Sequence, residues 1–362
     1  MAGSAWQATF PGESLLDRRP AERGDSTLPR LLAEPGTRLL DWRDGLARVD
    51  VGHEPQPEQA ALAWRAATAA DGGRLLLFLG RDRAGAGLLA CVWPTGPTAD
   101  RSGTPTADRS ANASGDGSAN ASGEPVAVPS TPGWSATMGS EAAHGRPALS
   151  GHWASLREIG PHLESLDNAA FHTAQALARW HETHPRCPRC GAATAPVSGG
   201  WIRRCPADHA DQRPRVDPAV IMAVVDRDDR LLLARAPTWP RNRVSVIAGF
   251  VEPGESLESA VVRETAEEVG VVVDEVTYRH SQPWPFPASL MFGFTARAPA
   301  CRLRPDPAEI AEAGWWTADE VVSAVSTGAR LVPGRLSLAR RLIEDWLSQP
   351  LTPPVESTFG RR

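Results

Sequence analysis

The chain has 362 residues, with 38 basic and 43 acidic side chains, a net charge of −5 and 41% hydrophobic residues. That length allows two or three domains with a sizeable core, and the mild negative charge argues against a protein that holds nucleic acid mainly by charge. Every basic residue is arginine, which excludes a lysine nucleophile or lysine phosphate anchor; no apolar run reaches the roughly 18 residues of a membrane span, and the N-terminus lacks a basic-then-apolar signal pattern.

Residues 1–95 read as a small α+β domain. PEQAALAWRAATAA (57–70) has helical composition, and RLLLFLG (74–80) and GLLACVW (87–93) read as short buried strands. From 96 to 148 the chain collapses to Gly, Ser, Thr, Ala, Pro and Asp, with near-repeats such as PTADRSGT and PTADRSAN. Such a segment cannot bury enough apolar surface to offset chain entropy, so it is predicted as a disordered insertion. Order returns at 149–185, where a helix from about Asp167 to Glu182 completes the N-terminal domain. A cysteine module follows at 186–215, then a larger domain at 216–350 and a flexible tail at 351–362. In the larger domain AVIMAVVD, RLLLARA, RVSVIAGFVE, VVVDEVTYRH and SLMFGFTARA read as strands; ESLESAVVRETAEEVG and SLARRLIEDWL read as helices.

Five cysteines, three of them clustered, form a metal pattern more than a disulfide framework and suit a reducing cytosol. CPRCG (187–191) and Cys205 give three thiolates of a four-ligand ribbon, but position 208, where a second CxxC would end, is aspartate. Three readings follow: zinc held by Cys187, Cys190, Cys205 and His209; zinc held by the same thiolates and Asp208; or no zinc, with packing alone keeping the module folded. Any zinc here is structural. Cys91 and Cys301 read as buried small residues rather than reactive thiols.

GFVEPGESLESAVVRETAEEVGV (249–271) carries the chemistry. Pro253–Gly254 fits a tight turn, Ser256 an N-cap and Gly270 a helix stop. Between them Glu264 and Glu268 share a face, Glu267 lies beside them, and Arg263 sits four residues before Glu267. A solvated acidic face is the plain alternative, but three carboxylates within about one turn suit a hard divalent ion and a metal-activated water. SQPWPFPAS (281–289) is the other unusual stretch. Its alternate prolines fit neither a helix nor a central strand, so it reads as a stiff loop displaying Trp284 and Phe286.

Gly249, Glu255, Arg263, Glu264, Glu267, Glu268, Gly270 and Val271 follow the Nudix hydrolase signature, with Thr265 where an aliphatic is usual. SQPWPFPAS, together with ALARWH, DPAVI and ARRLIEDW, resembles the NADH pyrophosphatase subfamily over roughly 165–350; the 96–148 insertion is not part of the common pattern. The resemblance implies an α+β chain whose Nudix fold, a mixed β-sheet sandwiched between helices, follows a zinc-ribbon-like module and a smaller N-terminal α+β domain. It implies metal-dependent hydrolysis of the pyrophosphate bond of NADH or NAD+ to nicotinamide mononucleotide and AMP, with removal of NAD caps from RNA as a variant of the same reaction. Mg2+ or Mn2+ would be held by Glu264, Glu267 and Glu268, which also supply the catalytic carboxylates, with the Ala248 carbonyl and Glu309. The substrate would meet Phe250, Gln282, Pro283, Trp284, Pro285, Phe286, Pro287, Ala288, Ser289 and Ala339; Trp284 and Phe286 either stack on a ring or pack the loop. A cytoplasmic homodimer completes the expectation. Arg213 stands where the subfamily often carries an aromatic. The alternatives are a Nudix hydrolase for another substrate such as ADP-ribose, and a non-catalytic nucleotide sensor.

Overall fold

The computed structural model describes residues 16–50, 60–93 and 152–351, so the predicted insertion and all but the first residue of the predicted tail lie outside the described residues. Leu351, that first residue, is 3% exposed, and its carbonyl accepts from Arg340 at 2.5 Å, so order continues to there.

A seven-stranded sheet forms first. Its main order is Ala61–Leu62, Leu46–Asp50, Arg38–Arg43, Gly87–Val92, Leu75–Arg81, with Trp64–Ala66 pairing on Arg38–Arg43 and His152–Ser155 on Leu46–Asp50. The helix Ser165–Thr183 lays Ala170, Phe171, Ala174, Leu177 and Ala178 on this sheet, against Leu40, Trp42, Leu77, Leu79 and Leu88. That three-and-four spacing made the helix legible. The helical reading of 57–70 is overturned in its described part: Ala61–Leu62 and Trp64–Ala66 are strands. Polar partners outweigh the alanine-rich composition. The Leu62 amide and the Trp64 indole both donate to Asp167, at 2.9 and 2.8 Å. Arg65 forks between Asp41 and Asp71, both buried.

A three-stranded sheet of Ala195–Val197, Ile202–Arg204 and Asp211–Gln212 follows. It is tied to the long helix through Arg203, which donates to His181 Nδ1 at 2.8 Å, while His181 Nε2 meets the Gly200 carbonyl at 2.8 Å.

The six-stranded sheet runs Asp274–Trp284, Ser289–Ala298, Asp217–Asp226, Leu231–Arg235, Glu312–Trp316, with Ile247–Phe250 also pairing on Asp217–Asp226. It is mixed: Asp217–Asp226 is parallel to Ser289–Ala298 and antiparallel to its other partners. The central strand buries both faces. Ala219, Ile221, Ala223 and Val225 pack with the helices Ala318–Ser326 and Leu338–Leu347. Val220, Met222 and Val224 pack with Ala260, Val261 and Val269 of the helix Leu257–Val269. Period-two alternation on a strand with helices on both sides produces this sandwich. No helix among the described residues is long and apolar enough to cross a membrane. Cys91 is buried as expected, but Cys301 is exposed, because it lies past the end of strand Ser289–Ala298.

Candidate active site

Helix Leu257–Val269 begins at Ser256, whose side chain accepts from the Ser259 amide, and stops at Gly270 in the left-handed region at φ 70°. The turn before it places Gly254 at φ 89°, a conformation that favours glycine. Thr265 is fully buried and returns its hydroxyl to the Val261 carbonyl at 2.8 Å, so the departure from an aliphatic residue leaves no unpaired polar atom.

The helix faces strand Ile247–Phe250 at very short range. A Cβ on Gly249 would fall within the Glu264 carboxylate itself. Glycine is therefore required here to let a carboxylate lie on the strand backbone. Glu264 is 2% exposed and Glu268 8% exposed. Burial pushes the Glu268 carboxyl up to about 8, and Glu264, Glu309 and Glu267 add repulsion; Glu264 is also raised, by burial first. Arg263 organises the rest. It grips Glu255 with two bonds of 2.8 Å, donates to the Phe250 carbonyl at 2.9 Å, and meets Glu264 at 3.0 Å and Glu267 at 2.9 Å. The pairing with Glu267 read from the sequence is thus one arm of a larger clamp that locks strand, turn and helix together.

Glu309 arrives from a loop stapled to the end of this helix. The Arg304 amide donates to Val269 at 2.8 Å and the Asp306 amide to Glu268 at 2.9 Å. Burial, Asp306 and Glu267 raise the Glu309 carboxyl. Glu264, Glu268 and Glu309, raised by burial and by their acidic neighbours, are oxygen donors of the kind a hard divalent cation relieves. Ala248 stands beside Gly249 on the same strand.

The proline-rich stretch is partly strand. Gln282, Pro283 and Trp284 still pair with Met291, Leu290 and Ser289, on the sheet's edge strand, where a proline removes no ladder bond. The turn itself is Pro285–Ala288, with a cis bond before Pro287. Gln282 is buried, and its amide is spent on the chain's own backbone: it donates to Leu336 at 2.5 Å and accepts from the Leu338 amide at 2.6 Å. Gln282 therefore positions the start of the C-terminal helix rather than offering its side chain outward. Ala339 lies in the first turn of that helix, buried, with its amide on Ser337 Oγ at 3.2 Å. Trp284 and Phe286 meet edge to face at 5.0 Å, and the Arg157 guanidinium lies 4.1 Å from the Phe286 centroid. They pack the loop. Phe250 is half-buried against the same core as Trp284; Pro285 and Ser289 are buried; Pro283 and Pro287 are exposed; Ala288 is partly exposed. Arg157 carried no signal in the sequence, because its partners are reached only through the fold.

In the cysteine module, Cys187, Cys190, Cys205 and Asp208 bring four donor atoms within 4.8 Å of one another. Cys190 and Cys205 sulfurs are 3.5 Å apart and Cys187 Sγ lies 3.6 Å from Asp208 Oδ2. Tetrahedral zinc with bonds of about 2.3 Å separates its sulfurs by roughly 3.8 Å, so this set fits the ion. His209 is not among the four. The two knuckles are CPRCG and CPADH, and His209 takes the place of Gly191 as the left-handed residue closing the turn, at φ 55° against 74°. That conformation leaves its side chain exposed and gives Asp208 the ligand position.

Residues 215–335 match the NUDIX domain and residues 182–212 the NADH pyrophosphatase zinc ribbon domain. The chain is 43% identical over 200 residues to the NAD-capped RNA hydrolase NudC of Mycobacterium bovis, covering 53% of this chain and 64% of that one. It is 39% identical over 197 residues to the NAD-capped RNA hydrolase NUDT12 of Homo sapiens, covering 51% and 43% respectively. The chain thus spans less than two thirds of the length of these relatives. A solved NUDIX hydrolase from Nitrosomonas europaea matches at 21% identity with a TM-score of 0.35, covering 46% of this chain and 94% of that one. Residues 215–335 thus match a Nudix domain, and the residues before them match a zinc ribbon of the NADH pyrophosphatase kind.

Proposed function

We propose that the protein hydrolyses the pyrophosphate bond of NADH or NAD+, releasing nicotinamide mononucleotide and AMP, and removes the same cap from RNA 5′ ends. The observation that carries this reading is the pair of buried carboxylates Glu264 and Glu268, with Glu264 against Gly249 and the half-buried Glu309 close enough to repel both, in a chain that also holds SQPWPFPAS. The names of the mycobacterial and human relatives point the same way.

In this reading Glu264, Glu267, Glu268 and Glu309, with the Ala248 carbonyl, hold Mg2+ or Mn2+. The bound ion supplies charge neutralisation at the phosphate oxygens and a water of lowered pKa. Arg263 holds Glu264 and Glu267 in place, and one of the carboxylates takes the proton of the attacking water. The water oxygen adds to one phosphorus as the bridging P–O bond breaks. The aromatic turn walls the site with a shape set before substrate arrives, which lowers the ordering cost of binding. Phe250 and the backbone near Ala339 and Pro285–Ser289 line the dinucleotide. Cys187, Cys190, Cys205 and Asp208 hold zinc, with a structural role only. We place the protein in the cytoplasm as a homodimer, read as an N-terminal unit, a ribbon and a Nudix unit.

The test is product analysis with NADH and either metal, beside a parallel ADP-ribose sample. AMP and reduced nicotinamide mononucleotide appear from NADH much faster than ADP-ribose is cleaved. Glu268→Gln retains NADH binding and loses turnover. Intact NADH with both metals, or a clear preference for ADP-ribose, sinks the reading.

A further inference from the structure

A cleft of about 500 Å3 lies outside the groups described above, lined by Arg235, Pro237, Trp239, Arg241, Ala311 and Glu312. Ala311 follows Glu309 by two positions, and its amide donates to the Arg235 carbonyl at 2.8 Å. The cleft therefore adjoins the loop that brings Glu309 to the carboxylate cluster.

Its chemistry is cationic and aromatic. The acid on its wall, Glu312, is shared between Arg330 and Arg235, the latter at 3.5 Å. Arg243 lays its guanidinium 4.5 Å from the Trp239 centroid. Arg241 is exposed, and among the described residues its side chain makes no ion pair or hydrogen bond. Arg235 and Arg330 thus share one carboxylate, and Arg241 stands on the same wall beside them, in a chain whose net charge is −5.

The segment is also held in shape. Pro237 and Pro240 flank Trp239, the Trp239 amide donates to Ala236 at 3.1 Å, and Arg235 reaches the Trp239 carbonyl at 3.4 Å. Arg330 donates to the Arg241 carbonyl at 2.8 Å, and the Leu331 amide to Asn242 at 2.8 Å. A fixed indole beside guanidinium groups suits a base stacked next to a phosphate backbone. A free dinucleotide offers only the pyrophosphate as its anionic group, and the carboxylate site accounts for that. The surplus positive charge calls for further phosphates.

We propose that this cleft receives the single-stranded RNA that follows a nucleotide cap, with Trp239 stacking on a base and Arg241 meeting a phosphate. The proposal rests on the hydrolase reading above. The experiment pairs two substrates, NADH and a short NAD-capped single-stranded RNA, on the full chain as wild type, Arg241→Glu and Trp239→Ala. Loss of stacking lowers kcat/KM on capped RNA by about 5-fold to 100-fold in Trp239→Ala, and charge reversal lowers it by about 10-fold or more at low salt. NADH turnover stays within about 2-fold in both. Unchanged RNA turnover, or an equal fall on both substrates, overturns the cleft. Wild-type protein that cleaves neither substrate overturns the hydrolase reading instead. The cleft is then judged by fluorescence anisotropy of a labelled uncapped single-stranded RNA: weaker binding and a shallower salt dependence in Arg241→Glu support it, and equal binding overturns it.

Discussion

Glu264 and Gly249 show why the site could be read only in part from spacing. The acids were legible because positions four apart share a helix face, and that rule needs no partner element. The reason for the glycine was not, because its partner lies on another element and the contact exists only after strand and helix pack. Gly249→Ala is expected to push the Glu264 carboxylate off the strand while the fold survives. A displacement of about 1 Å at a reacting group costs on the order of 100-fold, so kcat on NADH should fall by at least that much with little change in the thermal midpoint. Wild-type turnover in this variant would show that Glu264 need not lie against the strand. Arg263→Lys tests the clamp. A lysine has one point of charge and cannot grip Glu255 while also reaching Phe250 and Glu267. Activity should drop by roughly 10-fold to 100-fold, as for other groups that orient metal ligands, and raising the Mn2+ concentration should recover part of it.

The long helix Ser165–Thr183 was legible as an element, yet its buried histidines give it a property that periodicity does not reveal. Burial lowers His172 to about 4 and His181 to about 4. Their ordinary value is near 6.5, so between about pH 6.5 and 4 the unfolded chain takes up protons that the folded one refuses. Stability is full above about 6.5 and declines as the pH falls toward 4, by on the order of 3 kcal/mol for each histidine. Thermal midpoints measured across this window should drop steadily in the wild type. His172→Gln should flatten that slope, and an unchanged slope would remove His172 as its cause. The strands at 61–66 failed to appear in the sequence for a related reason: their extended form is held by Asp167, Asp41 and Asp71, side chains distant along the chain. In the ribbon the sequence left the fourth ligand open. CPADH names two ligands in a row, and only the left-handed turn at His209 selects Asp208. Zinc content measured on purified protein should therefore survive His209→Ala and fall in Asp208→Ala.

At the scale of the whole molecule, the proline-rich turn is a junction. Trp284 packs against both the N-terminal core and the face of the Nudix sheet that the two C-terminal helices cover, and Phe286 packs against the N-terminal core. Leu336, bonded through its carbonyl to Gln282, also sits in the N-terminal core, close to Gly160. The stiffness of the turn was evident from its prolines, but its dependence on the N-terminal unit was not, because Arg157 and Gly160 carry no pattern of their own. In the proposed reading, where this turn walls the substrate site, the wall is built with support from a different sheet, and stability and turnover should be linked there. Phe286→Ala removes a half-buried ring and the Arg157 contact on it. A fully buried phenylalanine costs about 3–5 kcal/mol when truncated, and partial exposure reduces that to roughly 2 kcal/mol. Denaturant unfolding should register this loss, and kcat/KM on NADH should fall in the same variant as the wall loosens. Arg157→Ala, which leaves both rings in place, should cost about 0.5–1 kcal/mol, the range of an exposed cation–π contact. If Phe286→Ala lost activity at undiminished stability, the ring would be touching substrate rather than bracing the turn. If it lost stability at undiminished activity, the wall would hold its shape without the N-terminal unit. Loss of both is the outcome that the packing of Phe286 between Trp284 and Arg157 requires.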